Sequence, residues 1–194
     1  MTESQILNTV SVYFKEHGYV PKRVVAKKLL IGQKSPDFEI YYSGELDYYC
    51  EVKSPLLLIN NKTQLFQWTT TISKLRNFIQ SAVLQFTDMD SDHNKPWVLL
   101  FTSDHMQLNW TNMTHAITGI VGYGQTIIRD LREYVKDSEI DLKKIDMFIW
   151  FQMNQSTDIH QVRFFINAGS KFKRRCENIQ EKLRPVAGEV SFNN

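Results

Sequence analysis

Residues 36 to 55 read PDFEIYYSGELDYYCEVKSP, and this stretch indicates how the rest of the chain is organised. Two runs that alternate between apolar and polar residues flank Ser43-Gly44, which is a turn signal, and a proline at each end limits the strands. Successive side chains of a strand point to opposite faces of a sheet. The stretch therefore predicts a β-hairpin with acidic side chains on one face.

The register of this hairpin follows from its apolar residues. An odd-numbered connection, such as residues 43 to 45, collects the apolar side chains of both strands on one face. It does so through three cross-strand pairs: Tyr42 with Leu46, Ile40 with Tyr48, and Phe38 with Cys50. The same register sets Asp37 opposite Glu51. A two-residue turn would pair Asp37 with Cys50 and scatter the apolar residues over both faces, so we expect the odd connection.

Two opposed carboxylates repel unless a cation or a proton lies between them, because their Cβ atoms are only about 4.5 to 5.5 Å apart. Mg²⁺ suits Asp37 and Glu51, since it prefers oxygen ligands, often takes one or two protein carboxylates and adds water and substrate phosphate. Lys53, on the same face as Glu51, would reach that water or phosphate. The alternative is a surface hairpin in which Glu51 and Lys53 form an exposed pair worth about 0 to 1 kcal/mol.

The segments on either side of the hairpin predict an α/β chain. Apolar residues at helical spacing predict helices over residues 3 to 17 and 62 to 86, and the apolar run at 97 to 101 is typical of a strand buried on both faces. The other predicted elements are a strand at 23 to 31, helices at 113 to 121 and 125 to 136 separated by a glycine-rich turn at 122 to 124, and strands at 145 to 151 and 162 to 166.

Length and composition indicate one globular domain. The chain has 194 residues, of which 42% are hydrophobic, enough for a single well-buried core. It has neither an apolar run of about 18 residues nor a secretion signal at its start, so we expect a cytoplasmic protein without a membrane partner. Cys50 and Cys176 lack the paired spacing of a zinc or redox motif, and we expect reduced thiols.

The charges are segregated along the chain although the net charge is only +2. Basic residues precede the hairpin and recur near the C-terminus: Lys15, Lys22, Arg23, Lys27, Lys28 and Lys34, then Lys171, Lys173, Arg174 and Arg175. Basic clusters around an acidic centre suit an anionic polymer held over a metal site. The candidates for nucleic-acid binding are Lys27, Lys28, Lys171, Lys173, Arg174 and Arg175. A solvated surface is the alternative for each cluster.

Pro36-Asp37 and, after the hairpin, Glu51-Val52-Lys53 resemble the signature of the PD-(D/E)XK nuclease superfamily, which has the restriction-endonuclease-like fold. The resemblance implies an αβββαβ core over about residues 3 to 103, with a mixed central sheet flanked by helices. It implies a single nuclease-like domain over residues 1 to 170, and residues 171 to 194 would form a basic tail packed on it or extending from it.

The same resemblance assigns roles to individual residues. Asp37 and Glu51 would bind the metal, and Lys53 would position or activate the attacking water. Family members often add a glutamate on the first helix, for which Glu16 is the candidate and Glu3 a weaker one. Gln85 on the helix after the hairpin resembles a glutamine that some members place there.

The function implied is that of a metal-dependent nuclease, which hydrolyses phosphodiester bonds with metal-activated water. Mg²⁺ is the expected cofactor, with Mn²⁺ able to substitute, and nucleic acid, DNA in particular, is the expected partner. A homodimer would suit cleavage of both strands. The alternatives are a catalytically inactive nucleic-acid-binding or protein-interaction domain of the same fold, and an unrelated α/β protein with a chance match.

Overall fold

Helices and strands are interspersed along the chain in the computed structural model, which describes residues 2–24, 33–55, 68–105, 108–123, 126–130, 139–154, 156 and 158–184. The helices are α1 (Glu3–Glu16), α2 (Trp68–Met89), α3 (Trp110–Thr118), α4 (Glu139–Lys144) and α5 (Lys173–Leu183). The strands are β1 (Val20–Arg23), β2 (Phe38–Tyr42), β3 (Glu45–Lys53), β4 (Trp97–Ser103), β5 (Ile120–Tyr123), β6 (Thr126–Asp130), β7 (Met147–Met153) and β8 (Ile159–Ile166).

Six of these strands form one open sheet in the order β1-β2-β3-β4-β7-β8. β3, β4 and β7 run parallel to one another, whereas the other neighbours pair antiparallel. Helices α1 and α5 pack on one face of the sheet, and α2 and α3 pack on the other. The predicted α/β class, with a mixed sheet between helices, is therefore confirmed.

The central hairpin, β2 and β3, has the predicted register beside the acidic residues. Phe38 pairs with Cys50 and Ile40 pairs with Tyr48. All four side chains are buried in the core that α1 and α5 cover. The side chains of β3 that alternate with them therefore point to the opposite face, toward α2.

The connection between β2 and β3 differs from the prediction. The turn consists of Ser43-Gly44 alone, both with positive φ (52° and 86°), and Tyr42 pairs with Glu45 instead of Leu46. A β-bulge then shifts the register, with Asp47 as the extra residue of β3. The predicted odd-numbered turn is therefore wrong, because the turn has two residues. The bulge supplies the extra residue instead, so the predicted pairs Ile40–Tyr48 and Phe38–Cys50 are present beyond it.

Helix α1 follows the predicted pattern. Thr2 and Gln5 form a capping box at its start, and the helix ends at Glu16, before Gly18 with φ 79°. Its buried residues recur every four positions at Ile6, Val10 and Phe14. This stripe packs on the hairpin and the neighbouring parallel strands.

Helix α2 covers the other face of the sheet. Its described part begins at Trp68, and the predicted residues 62 to 67 lie outside the described residues. Apolar residues at helical spacing in this helix are buried at Ile72, Leu75, Ile79, Ala82 and Phe86. They pack on β4, every residue of which is buried, as expected for a strand between two layers of helices.

Two predicted elements require correction. Residues 126 to 130 form β6, paired with β5, so the predicted helix over 125 to 136 is wrong there, and residues 131 to 138 lie outside the described residues. The β-branched residues of both segments favour a pleated strand over a helix. Helix α3 ends at Thr118, because Gly119 adopts the left-handed conformation. The predicted turn at 122 to 124 lies in β5 for its first two residues.

The first strand is also displaced from its predicted position. β1 begins at Val20 and ends at Arg23, whereas the prediction placed a strand at 23 to 31. Residues 25 to 32 lie outside the described residues. β1 pairs with β2 such that Arg23 stands opposite Phe38.

The basic residues near the C-terminus lie in a packed helix, α5, or just before it. Cys176, Ile179 and Leu183 of α5 are buried in the core beneath α1, and the Tyr13 hydroxyl donates to the Leu183 carbonyl at 2.6 Å. Cys50 and Cys176 are both buried free thiols. Within the described residues, the structure contains no helix whose length and hydropathy would allow it to span a membrane.

Candidate functional site

Asp37 and Glu51 lie against each other at the start of β2 and near the end of β3. The Asp37 backbone N–H donates to Glu51 Oε2 at 3.0 Å, and the Val52 N–H donates to Asp37 Oδ2 at 2.9 Å. These reciprocal bonds exist because the Phe38–Cys50 pair places the two acids in the next position of the ladder. The predicted opposition of the two carboxylates is therefore present in the structure.

Lys53 and Gln85 complete a hydrogen-bonded cluster around Glu51. The Lys53 ammonium donates to Glu51 Oε1 at 2.5 Å and to Gln85 Oε1 at 2.9 Å. Glu51 and Lys53 share a face because they are two residues apart on β3, and α2 brings Gln85 above that face. The side chains of Glu51 and Lys53 are only 3% and 15% exposed, so this pair is partly desolvated rather than a surface ion pair.

Helix α2 also holds the segment that leads into Asp37. The Gln85 side-chain amide donates to the Ser35 carbonyl at 2.9 Å, and Asp88 Oδ2 accepts from the Lys34 N–H at 2.9 Å. Gln85 and Asp88 are three residues apart and thus lie on one side of the helix. Together they anchor the backbone immediately before Asp37.

Arg23 forms a further contact with Asp37. Its Nη1 lies 3.1 Å from Asp37 Oδ1, and its guanidinium lies 5.1 Å from the centroid of the Phe38 ring. The Arg23 side chain is 53% exposed and that of Asp37 is 16% exposed. The ion pair therefore stands at the solvent-facing edge of the cluster.

The electrostatics of the cluster centre on Glu51. The pKa of Glu51 is raised to about 7, with burial as the largest cause and the neighbouring Asp37 carboxylate as the next, while Lys53 and the hydrogen bond from Gln85 act in the opposite direction. On the other face of β3, burial raises the pKa of the Cys50 thiol, which makes that thiol a poor nucleophile. Glu51 is therefore a carboxyl group whose ionised form is disfavoured by burial and by the neighbouring Asp37 carboxylate.

Asp37 and Glu51 could together hold a hard divalent cation. Their side chains supply only oxygen donors, and the raised pKa of Glu51 marks a site where added positive charge would stabilise the ionised form. Among the described residues, no three side chains of the His, Cys, Asp and Glu types are grouped as a metal centre. Mg²⁺ does not require such a group, because one or two carboxylates with water and phosphate complete its shell.

The first-helix glutamates lie at opposite ends of α1. Glu16 is exposed in the last turn, and none of its described contacts joins it to Asp37 or Glu51. Glu3 lies in the first turn and lines a groove with Arg23, which contacts Asp37. None of the described contacts thus brings Glu16 into the cluster, and Glu3 shares a groove with Arg23.

Of the predicted nucleic-acid-binding residues, those that the structure describes lie away from the cluster. Lys27 and Lys28 lie outside the described residues. Lys171, Lys173 and Arg174 are exposed at the start of α5, on the side of the sheet opposite Glu51. The Arg175 guanidinium donates to the buried Asp47 carboxylate.

Sequence reasoning did not assign roles to Arg23, Ser35 or Asp88. Arg23 was one basic residue among several, and its contact with Asp37 depends on the pairing of β1 with β2, which begins earlier than predicted. Ser35 contributes a backbone carbonyl, which carries no side-chain signal. Asp88 lies three residues after Gln85, and this spacing was the available clue to a shared role on α2.

Four of the predicted site residues converge: Asp37, Glu51, Lys53 and Gln85. They meet at the carboxyl end of β3, which runs parallel to β4. Any functional assignment depends on this geometry. No protein-family model, curated protein or solved structure matches the chain significantly.

Proposed function

We propose that this protein is a metal-dependent nuclease of the PD-(D/E)XK type, which hydrolyses phosphodiester bonds, with DNA as the expected substrate. The observation that carries the proposal is the cluster in which Lys53 bonds both Glu51 and Gln85, while Asp37 and Glu51 exchange backbone hydrogen bonds. The order α1-β1-β2-β3-α2-β4 supports the finer assignment to a restriction-endonuclease-like core.

Asp37 and Glu51 would hold Mg²⁺, and Mn²⁺ could substitute for it. The ion, when bound, would supply Lewis-acid polarisation of a phosphate oxygen. The carboxylates themselves suit this role because Asp37 is held by the Val52 N–H and Glu51 by the Asp37 N–H, which fixes the orientation of both side chains.

Lys53 would act on the phosphate or on the attacking water. Its ammonium group donates to both Glu51 and Gln85, which fixes its position beside the carboxylates. There it would donate a hydrogen bond to a non-bridging phosphate oxygen, where negative charge accumulates during attack. Hydrolysis would join the water oxygen to phosphorus as one proton of that water passes to solvent, and it would break one phosphorus–oxygen ester bond, with the departing sugar oxygen taking a proton from solvent.

The proposal is tested by cleavage assays with supercoiled plasmid, linear duplex, single-stranded DNA and RNA across a titration of Mg²⁺ and Mn²⁺. The wild-type protein should cleave at least one of these only when the metal is present. Asp37→Asn, Glu51→Gln and Lys53→Met should each lower the rate by about 10²-fold or more, the usual effect of removing a group that acts on the reacting atoms. Thermal unfolding should show that the three variants remain folded.

Glu45→Gln is the matched control, because Glu45 lies on the same strand, is exposed and is outside the cluster. Its cleavage rate should equal that of the wild type. Full activity of Asp37→Asn, Glu51→Gln and Lys53→Met would remove the cluster from consideration. Gel filtration of the active species would show whether it is a homodimer.

One observation favours an inactive nucleic-acid-binding or protein-interaction domain as the second candidate. The four carboxylate oxygens of Asp37 and Glu51 each accept a hydrogen bond within the protein, from Arg23, Val52, Lys53 and Asp37 itself. The cluster is thus satisfied without a ligand. A wild-type protein that binds nucleic acid but cleaves none of the four substrates with either metal would favour this candidate.

A further inference from the structure

Arg23 stands between the acidic cluster and a groove on the surface. The groove has a volume of about 640 Å³ and lies between the first turns of α1 and the edge of the sheet. Its lining consists of Thr2, Glu3, Ser4, Leu7, Asn8, Ser11, Arg23 and Phe38. Arg23 is therefore the residue that lines the groove and also contacts Asp37, at 3.1 Å.

The contact between Arg23 and Asp37 uses an oxygen that a metal would need. Asp37 Oδ2 already accepts from the Val52 N–H, so Oδ1, which Arg23 engages, is the oxygen that a cation could take without disturbing the backbone. A guanidinium and a divalent cation at one carboxylate oxygen repel each other. Metal binding at Asp37 and the Arg23–Asp37 ion pair consequently oppose each other.

The chemistry of the groove indicates where the guanidinium would go. Ser4, Asn8 and Ser11 offer hydroxyl and amide groups, while Arg23 adds a cation that is 53% exposed. Arginine binds phosphate through two parallel hydrogen bonds, and hydroxyl and amide side chains also contact the backbone of nucleic acids. The Glu3 carboxylate in the first turn of α1 would repel a phosphate. A nucleic-acid strand is therefore expected to run along the side of the groove formed by Asn8 and Ser11.

We propose that Arg23 is a latch that releases Asp37 when a backbone phosphate of a nucleic-acid strand enters this groove. Released from Asp37, the guanidinium would bind the phosphate, and Asp37 would become free to bind the metal. Because coupling between two ligands is reciprocal, metal and nucleic acid would each strengthen the binding of the other. The inference rests on the proposed nuclease function and adds to it a device that delays metal loading until substrate is present.

The first measurement is Mg²⁺ binding by calorimetry in the absence of nucleic acid. Arg23→Met should bind Mg²⁺ about two- to fivefold more tightly than the wild type, since the competing ion pair is largely exposed and worth up to about 1 kcal/mol. Arg23→Lys keeps the charge and should resemble the wild type. Equal affinity of the wild type and Arg23→Met would overturn the latch.

The second measurement is the binding of a fluorescein-labelled single-stranded 12-mer oligodeoxynucleotide, followed by anisotropy over a range of salt concentrations. With Ca²⁺ in place of Mg²⁺ to prevent cleavage, wild-type affinity should exceed that in EDTA, and Arg23→Met should lose most of this difference. Its plot of log affinity against log salt should also be shallower by about 0.7, the slope lost with one phosphate contact on a single strand. An unchanged slope would contradict the role of Arg23.

Ser11→Asp tests the groove independently of the ion pair. It adds negative charge to the lining without touching Asp37 and should weaken oligodeoxynucleotide binding severalfold. Val12→Asp is the matched control, because Val12 is the next residue of α1, is 42% exposed and is not part of the lining. Equal weakening by both variants would place the strand elsewhere and overturn the proposed path.

The two proposals can fail separately. If the wild type cleaves DNA with Mg²⁺ and Arg23→Met matches it in metal affinity and salt slope, the latch is wrong and the nuclease assignment stands. If the wild type binds neither Mg²⁺ nor the oligodeoxynucleotide, the nuclease assignment fails and the latch fails with it.

Discussion

At the scale of single residues, the surroundings of Glu51 act on its pKa in opposite directions. Burial and the Asp37 carboxylate raise its pKa to about 7, while Lys53 and Gln85 hold a proportion of the group ionised. A proton and a divalent cation would therefore compete for this side chain near neutral pH. Metal affinity should increase as the pH rises through about 7.

Glu51 should also make the stability of the metal-free protein depend on pH. Its pKa is raised from 4.5 to about 7 on folding, so between these values the folded protein binds more protons than the unfolded chain. Stability falls with rising pH wherever the folded state binds more protons. Glu51→Gln removes this titration, and the wild type should lose up to about 3 kcal/mol relative to that variant between pH 4.5 and pH 8.

Urea unfolding in EDTA at intervals of pH, for the wild type and Glu51→Gln, measures this difference. The exposed Glu45→Gln variant on the same strand serves as the control and should follow the wild type at every pH. If the wild-type and Glu51→Gln stability curves stay parallel over that range, the pKa of Glu51 is not raised on folding.

At the scale of elements, the β-bulge of β3 connects the hairpin to α5. Asp47 is the residue that the bulge inserts, and its side chain is 3% exposed and accepts a hydrogen bond from Arg175 of α5. A bulge changes the direction of a side chain relative to a regular strand. The same feature therefore restores the register that opposes Asp37 to Glu51 and orients an ion pair toward the last helix.

The two partners of this ion pair should respond differently to mutation. Arg175→Ala leaves the buried Asp47 carboxylate without its partner, which should cost about 2 kcal/mol, less than in a fully buried pair because Arg175 is half exposed. Asp47→Asn leaves Arg175, whose side chain is 48% exposed, able to turn toward water, so the loss should be about 1 kcal/mol. Chemical unfolding of both variants tests this, and Arg174→Ala, at the exposed neighbouring position, is the control. Equal losses would contradict the asymmetry.

At the scale of the whole molecule, the sheet separates two different surfaces. The cluster of Glu51, Lys53 and Gln85 lies under α2 at the carboxyl end of β3, where ligand sites occur in open α/β sheets. The basic residues of α5 lie across the sheet from it. A nucleic acid that contacts both regions would have to pass around the edge of the sheet.

Lys171, Lys173 and Arg174 remain proposed contacts for such a path. Reversing all three charges to glutamate should make the salt dependence of duplex binding shallower by about 0.9 for each phosphate contact that is lost. Arg175 stays unchanged in this variant because it pairs with Asp47. Anisotropy with a labelled duplex in EDTA measures the slope, and an unchanged affinity and slope would show that α5 does not contact the nucleic acid.

The sequence alone determined the elements that depend on local periodicity. Alternation in the hairpin was enough to pair Phe38 with Cys50, since a shift by one residue would have moved every apolar side chain to the wrong face. Helices α1 and α2 were predicted from apolar residues at helical spacing, which is also a local pattern. The short β5 and β6 pair was missed, because segments of four or five residues carry too few repeats to distinguish a strand from a helix.

The tertiary structure alone decided the environment of the site. Glu51 is buried by segments that are distant from it in sequence. The contacts of Gln85 with Lys53 and of Arg23 with Asp37 also join different elements of the chain. The contact of Asp47, the bulge residue, with Arg175 of α5 likewise joins distant parts of the chain. Alternation along a strand states which residues share a face, but desolvation and ion pairing depend on what packs against that face, and this information is not local.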